Sequence, residues 1–276
     1  MTGSVHLHLS TASMASTTSL VERSAAFSSM LGAHLEVSIA RVEARVSSHW
    51  AGEHFAPVVL DADVDSRSKA IRLAAAARTA SERLSLPLAL NEYALSHCTV
   101  DRRAAIIARC HDFTMMGLAG GDSDGRRAIE DLVFASGRPV MILPDGVVAP
   151  LTLGRVTIAW DHSEAAARAL ALGLPLIREA RRVDVVTVDA GQRFASGNPA
   201  AAAVAYLARH GIKAADRTVQ AQGRKVGRVL METAEAAGSS LLVAGAYNTP
   251  RTRELLFGGV TRSLLERPRV PLLVAN

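Results

Sequence analysis

The chain has little cysteine, little lysine, few aromatic residues and no long apolar run. Two cysteines, Cys98 and Cys110, cannot frame a disulfide scaffold. They fit a reducing compartment, where cysteine serves as a small buried hydrophobe. Aromatics make up 4% of the residues. They leave the core to Ala, Leu, Val and Ile, and they offer no stacking platforms for single-stranded nucleic acid. Of 31 basic residues, only Lys69, Lys213 and Lys225 are lysine. The net charge of +5 comes from arginines spread along the chain, not from a basic patch, so nucleic acid is not an expected partner. No stretch approaches ~18 consecutive apolar residues, which excludes a transmembrane helix. The N-terminus has no basic start followed by an apolar core, so no signal peptide is read there. These absences lead to the expectation of a soluble cytoplasmic protein with no membrane partner.

Catalytic signatures are missing as well. There is no Gly-x-Ser-x-Gly elbow, no lysine within a glycine loop and no Cys-x-x-Cys. No catalytic residue is therefore expected, and no enzyme activity beyond slow hydrolysis of a bound nucleotide. A metal site needs about three converging ligands. His6 and His8 share one face of a predicted strand, while His49 and His54 flank Trp50; these are read as core or isolated histidines. The run Asp61–Asp65 is like a calcium loop, but Ser66 replaces the required Gly and Arg72 the terminal Glu. It is read as a solvated loop, with no metal.

What the chain does have is length and alternation. Its 276 residues, 49% of them hydrophobic, suffice for two domains of about 140 residues. From Arg155 onward, short apolar runs (Arg155–Trp160, Val183–Val188, Lys213–Gln220, Leu241–Gly245, Val270–Ala275) alternate with Ala/Leu-rich helical stretches (Ser163–Arg181, Pro199–His210, Lys225–Ala237, Gly258–Arg267). Alternation without hairpin turns predicts a parallel sheet with right-handed crossovers. Pro175 predicts a kink or early end in the first of these helices. The first half repeats the order: Val5–Leu9 matches Val156–Trp160, and Arg138–Leu143 matches the closing run from Val270. The first half is longer, with an insertion placed near residues 47–65. Pro144–Pro150 is read as a linker, giving domains 1–146 and 147–276.

Two segments of the second half carry chemistry. Leu241–Gly245, a polar loop, Gly258-Gly259 and a helix make a strand–loop–helix cradle whose free N–H groups and helix dipole favour an anion. Val156-Thr-Ile-Ala-Trp-Asp161-His-Ser-Glu164 places a carboxylate after a strand and before a helix. It also reads as an Asp-x-x-Glu capping box, so Asp161 is expected to cap that helix, alone or together with a ligand contact.

Together these segments resemble the universal stress protein family. Gly245 and Gly258 fall on the first and third glycines of its Gly-x2-Gly-x9-Gly-(Ser/Thr) loop, and Asp161 falls on its Asp-x-Ser-Glu helix start. Asn248 replaces the second glycine and Gly259 the Ser/Thr. The resemblance implies two tandem Rossmann-like α/β domains of the adenine nucleotide alpha hydrolase-like type. Each would be a five-stranded parallel sheet of order 3-2-1-4-5 with helices on both faces, and the two halves would pair through their final strands as a pseudo-dimer, with homodimerisation open as well. It implies an adenine nucleotide site in the second half, for ATP with AMP or ADP as alternatives and with Mg accompanying the phosphates. The residues carried over are Asp161, Val188, Ala244, Gly245, Asn248, Gly258, Gly259, Val260 and Thr261. Asn tolerates left-handed backbone, Thr261 is the nearest hydroxyl, and Arg251, Arg253 and Arg262 add positive charge. The alternative reading is a family member without nucleotide, acting through dimerisation or partner binding. The first half, with Ser10 in place of the Asp and Arg126-Arg127 in place of Gly-Ser, is expected to be blind to nucleotide. Asp122 and Asp124 add negative charge there.

Overall fold

The computed structural model describes residues 3–43, 56–96, 102–146, 150–191, 199–246 and 259–276. By contacts the chain forms two compact units. Unit 1 comprises Met1–Ser136 with Val148–Pro150, and unit 2 comprises Gly137–Val147 with Leu151–Asn276. The division expected after residue 146 differs from this partition at one strand, Val140–Pro144, which is grouped with unit 2.

Unit 1 contains strands β1 (Ser4–Ser10), β2 (His34–Glu43), β3 (Leu88–Ser96) and β4 (Phe113–Leu118), and helices α1 (Thr18–Met30), α2 (Ala56–Leu84), α3 (Arg102–Ala108) and α4 (Ser123–Ser136). The strands are parallel in the order β3-β2-β1-β4. Strand alternation sends Val5, Leu7 and Leu9 to one face and His6 and His8 to the other, and all five are buried. Helix α1 is capped by Thr17, whose hydroxyl accepts from the Leu20 amide at 3.1 Å.

Two elements of unit 1 start earlier than expected. Helix α2 already runs from Ala56, so the Asp61–Asp65 run is helical and not a loop. Pro57 sits in the first turn, where a missing N–H costs nothing, and no Gly or Pro follows before Leu84. Asp63 pairs with Arg67 one turn on, at 3.0 Å. Residues 44–55, the rest of the expected insertion, and Cys98 lie outside the described residues. Helix α4 starts at Ser123, so Arg126 and Arg127 are inside a helix and not in a loop. Cys110, expected as a buried hydrophobe, is exposed.

Unit 2 contains β5 (Val140–Pro144), β6 (Arg155–Ala159), β7 (Arg182–Asp189), β8 (Ala214–Gln220), β9 (Leu241–Gly245) and β10 (Leu272–Ala275). Its helices are α5 (Glu164–Arg178), α6 (Ala201–Arg209), α7 (Val226–Ala236) and α8 (Gly259–Glu266). The strand order is β5-β10-β9-β6-β7-β8. From β8 to β10 the strands are parallel, in the expected 3-2-1-4-5 order. Strand β5 pairs antiparallel with β10, with Met141 opposite Leu273. The closing strands of the two sequence repeats are thus paired. Helix α5 runs through Pro175 to Arg178 and does not end there. Its packing explains why: Gly173 lets the helix lie within van der Waals distance of Leu273 and Val243, and this tertiary contact outweighs the lost backbone bond.

Candidate functional site

In unit 2 the strand order reverses between β6 and β9, which pair in parallel from Val156↔Leu241 to Ile158↔Val243. In open α/β sheets the crevice for ligands lies beyond the carboxyl ends of strands at such a reversal. The chain leaves β6 through Trp160, whose amide donates to the Val186 carbonyl at 2.9 Å. Its indole N–H donates to the Pro199 carbonyl at 3.1 Å. Asp161 comes next and is exposed. Its Oδ1 accepts from the Ser163 amide at 3.0 Å, an Asx turn that faces the carboxylate toward its own loop on one oxygen only.

The expected capping box is not what forms. Helix α5 begins at Glu164, and its N-cap is Ser163, whose Oγ accepts from the Ala166 amide at 3.0 Å. Glu164 pairs with Arg168 instead of reaching back. Asp161 is therefore outside the cap. Between the two, His162 turns the chain with φ +65°, left-handed backbone that a side chain adopts at a cost of about 1 kcal/mol. The His162 ring lies 5.7 Å from that of Trp160.

Gly245 ends β9. A Cβ there would lie 2.5 Å from backbone atoms of Ala165 and Ala166 and 2.8 Å from the Ala165 carbonyl oxygen. Glycine is needed because the first turn of α5 rests directly on this strand end. Val188 and Ala244, both buried, occupy the last turn of pleat in β7 and β9, so the structure brings Asp161, Val188, Ala244 and Gly245 to one edge of the sheet. Asn248, Gly258, Arg251 and Arg253 lie outside the described residues. Gly259, Val260 and Thr261 form the first turn of α8. Gly259 is exposed, with open space where a side chain would stand. Val260 is 37% exposed and Thr261 only 3%, so Thr261 is a buried residue of this turn. Arg262 pairs with Glu266 on its own helix at 3.7 Å. Helix α8 is seated by Gly227 of α7, whose missing side chain makes room for the Val260 carbonyl.

The residues that sequence reasoning missed are Trp160, His162, Ser163 and Gly227. A tryptophan at a strand end in an aromatic-poor chain was an available signal. So was a serine immediately before the helix-forming run Glu-Ala-Ala-Ala. Gly227 carried none, because its partner is remote in sequence.

The corresponding edge of unit 1 is occupied by the chain itself. Lys69, from α2, donates to the carbonyls of Thr11 (3.1 Å) and Ser13 (2.6 Å). Burial first, then Arg72, lowers its pKa, while Asp122 opposes the shift. Asp122 accepts from the Gly125 amide at 2.7 Å at the start of α4 and from the Ser13 hydroxyl at 3.3 Å. An internal carboxylate thus fills the helix N-terminus where an anion would bind. Among the described residues no group of histidine, cysteine, aspartate and glutamate is placed to hold a metal ion, and no helix is long and apolar enough to cross a membrane.

This fold is an α/β sandwich built on a mostly parallel sheet. Residues 152–276 match the model of the universal stress protein family. Across nearly the whole chain the fold is similar to that of a universal stress protein from Archaeoglobus fulgidus DSM 4304, with TM-score 0.72 and 16% identity, covering 99% of this chain and 98% of that one. A putative universal stress protein from Pseudomonas aeruginosa UCBPP-PA14 matches with TM-score 0.56 and 12% identity, covering 99% of this chain and 93% of that one. No curated protein matches by sequence. Residues 152–276 thus carry the sequence pattern of the universal stress protein family, and the whole chain is similar in fold to proteins of that family.

Proposed function

We propose that unit 2 binds an adenine nucleotide, ATP or the related ADP or AMP, and that the protein acts as a regulatory binder and not as a catalyst. The observation that carries this reading is Asp161. It is an exposed carboxylate at the strand-order reversal, released from helix capping by Ser163 and left with Oδ2 for a ribose hydroxyl or base amine. Gly259 adds an exposed helix start with open space where a side chain would stand, and the helix dipole there favours phosphate oxygens. Magnesium, where present, would arrive on the phosphates.

The test is release and rebinding. Denatured protein is assayed by mass spectrometry for freed nucleotide, and ATP is titrated calorimetrically into wild type and Asp161→Ala. Freed adenine nucleotide, or heat that Asp161→Ala abolishes, is the expected result. No nucleotide and no heat at about 1 mM ATP, where even a weak site would register, would overturn the reading. A second reading, partner binding without nucleotide, is favoured by one observation: Gly259 stands where the motif has a hydroxyl residue, and Thr261, two positions on, is buried.

A further inference from the structure

The two faces of the unit 1 sheet differ in chemistry. One is apolar, with Val5, Leu7, Leu9, Leu35, Val37 and Ile39 in the core. The other carries three buried histidines, His6 (0% exposed), His8 (3%) and His111 (6%). The His6 ring lies 5.4 Å from that of His111 and 6.1 Å from that of His8. At the position of His6, unit 2 has Thr157, whose hydroxyl meets that of Ser239. In this layer the buried histidines are peculiar to unit 1, while unit 2 carries the Arg155–Asp184 ion pair beside Thr157.

Hydrogen bonds tie all three rings to their neighbours. His111 Nδ1 is 2.9 Å from the Ile107 carbonyl, which can only accept, so Nδ1 carries a proton. Its Nε2 faces Glu36 Oε2 at 3.2 Å. Asn91 donates to the other Glu36 oxygen at 2.6 Å. His6 sits between hydroxyls, with Nε2 2.7 Å from Ser38 and Nδ1 3.1 Å from Thr114. His8 Nδ1 is 3.2 Å from the same Ser38 hydroxyl. Hydroxyls give or accept, so neutral His6 is satisfied. Among the described residues, no carboxylate is hydrogen-bonded to His6 to balance a charge there. The other charged groups nearby are engaged or sit on the next layer. Asp112, at the foot of β4, accepts from the Ser4 amide. Arg109 donates to the Ala135 carbonyl. Glu130 is buried on α4. Burial first, then His8 and His111, keep the His6 imidazole well below its ordinary pKa.

Helix α3 rests against β1 and α4 and buries only Ala104, Ala105 and Ala108. Its last turn is tied to the seam by His111 through the Ile107 carbonyl. We propose that the His6–His8–His111 seam is a proton-sensitive latch that holds α3 on the sheet of unit 1 near neutral pH and releases it on acidification. The opened state takes the proton that the closed seam refuses. The stabilising effect is full above the ordinary histidine value of about 6.5 and is lost as the pH falls below it. The apolar face is untouched by this change, so release is local.

The test is hydrogen exchange on the full chain at pH 7.5 and 5.5, corrected for intrinsic rate, with peptides read across 102–118 and across β6, β7 and β9. Protection over 102–118 is expected to fall by up to about tenfold, the limit for one histidine that stays neutral when closed. The unit 2 strands should keep theirs, and His6→Thr should remove the pH dependence whatever its baseline protection. A wild-type profile without that fall, an equal fall in unit 2, or an unchanged fall in His6→Thr would overturn the latch. Should His6→Thr fail to fold, the comparison between the two units of the wild type still decides.

Discussion

Gly245 and His162 show two opposite reasons for a residue at a loop. Gly245 has no positive φ to justify it; the reason is the backbone of Ala165 and Ala166 at 2.5 Å. Gly245→Ala must push α5 off β9, and we expect it to lower stability by about 1–3 kcal/mol, seen as a lower urea midpoint at unchanged m-value. His162 is the converse, a side chain in backbone that suits glycine. His162→Gly should raise stability by about 1 kcal/mol, read from the same urea curves. Both outcomes bear on how Asp161 is presented. The sequence motif located Asp161 and Gly245 but misassigned the cap. Asp161-His-Ser-Glu offers two overlapping cap candidates, and only the left-handed turn at His162 selects Ser163. No local pattern announces that turn, since histidine is not a turn residue.

At the scale of elements, period and punctuation carried most of the information. The helices and strands of unit 2 lie within a few residues of where apolar spacing put them, because each is bounded by Gly, Pro or a polar loop. The misses occurred where such punctuation was overruled. The acidic run 61–65 looked like a loop, yet it lies inside α2 because nothing breaks the helix and Asp63 gains Arg67 one turn on. Pro175 looked like a stop, but packing of α5 on Leu273 and Val243 carries the helix past it. That helix retains a missing backbone bond. Pro175→Ala should therefore stabilise unit 2, by at least about 1 kcal/mol and below the ~3 kcal/mol separating the two residues in a free helix. A rise in the thermal midpoint would show it.

For the molecule as a whole, the two repeats have kept the strand order β3-β2-β1-β4 and β8-β7-β6-β9 while diverging at the crevice. Unit 1 fills its edge with Lys69 and Asp122. Unit 2 leaves Asp161 and Gly259 exposed. Calorimetry should accordingly give one nucleotide per chain. Lys69→Met should cost unit 1 about 1–2 kcal/mol through two orphaned carbonyls without altering that stoichiometry. The filling of unit 1 was only partly legible. The loss of its motif could be read directly, but Lys69 reaches Thr11 and Ser13 from more than fifty positions away, a contact that no spacing rule encodes.

Strand β5 has divided allegiance: in sequence it follows the strands of unit 1, while by hydrogen bonding it pairs with β10 of unit 2. Anyone dissecting the gene at the repeat boundary would strip β10 of its neighbour and bare an apolar rim, Leu272 to Ala275. A fragment 151–276 should consequently self-associate on size exclusion, whereas 137–276, carrying its borrowed strand, should melt at a higher temperature.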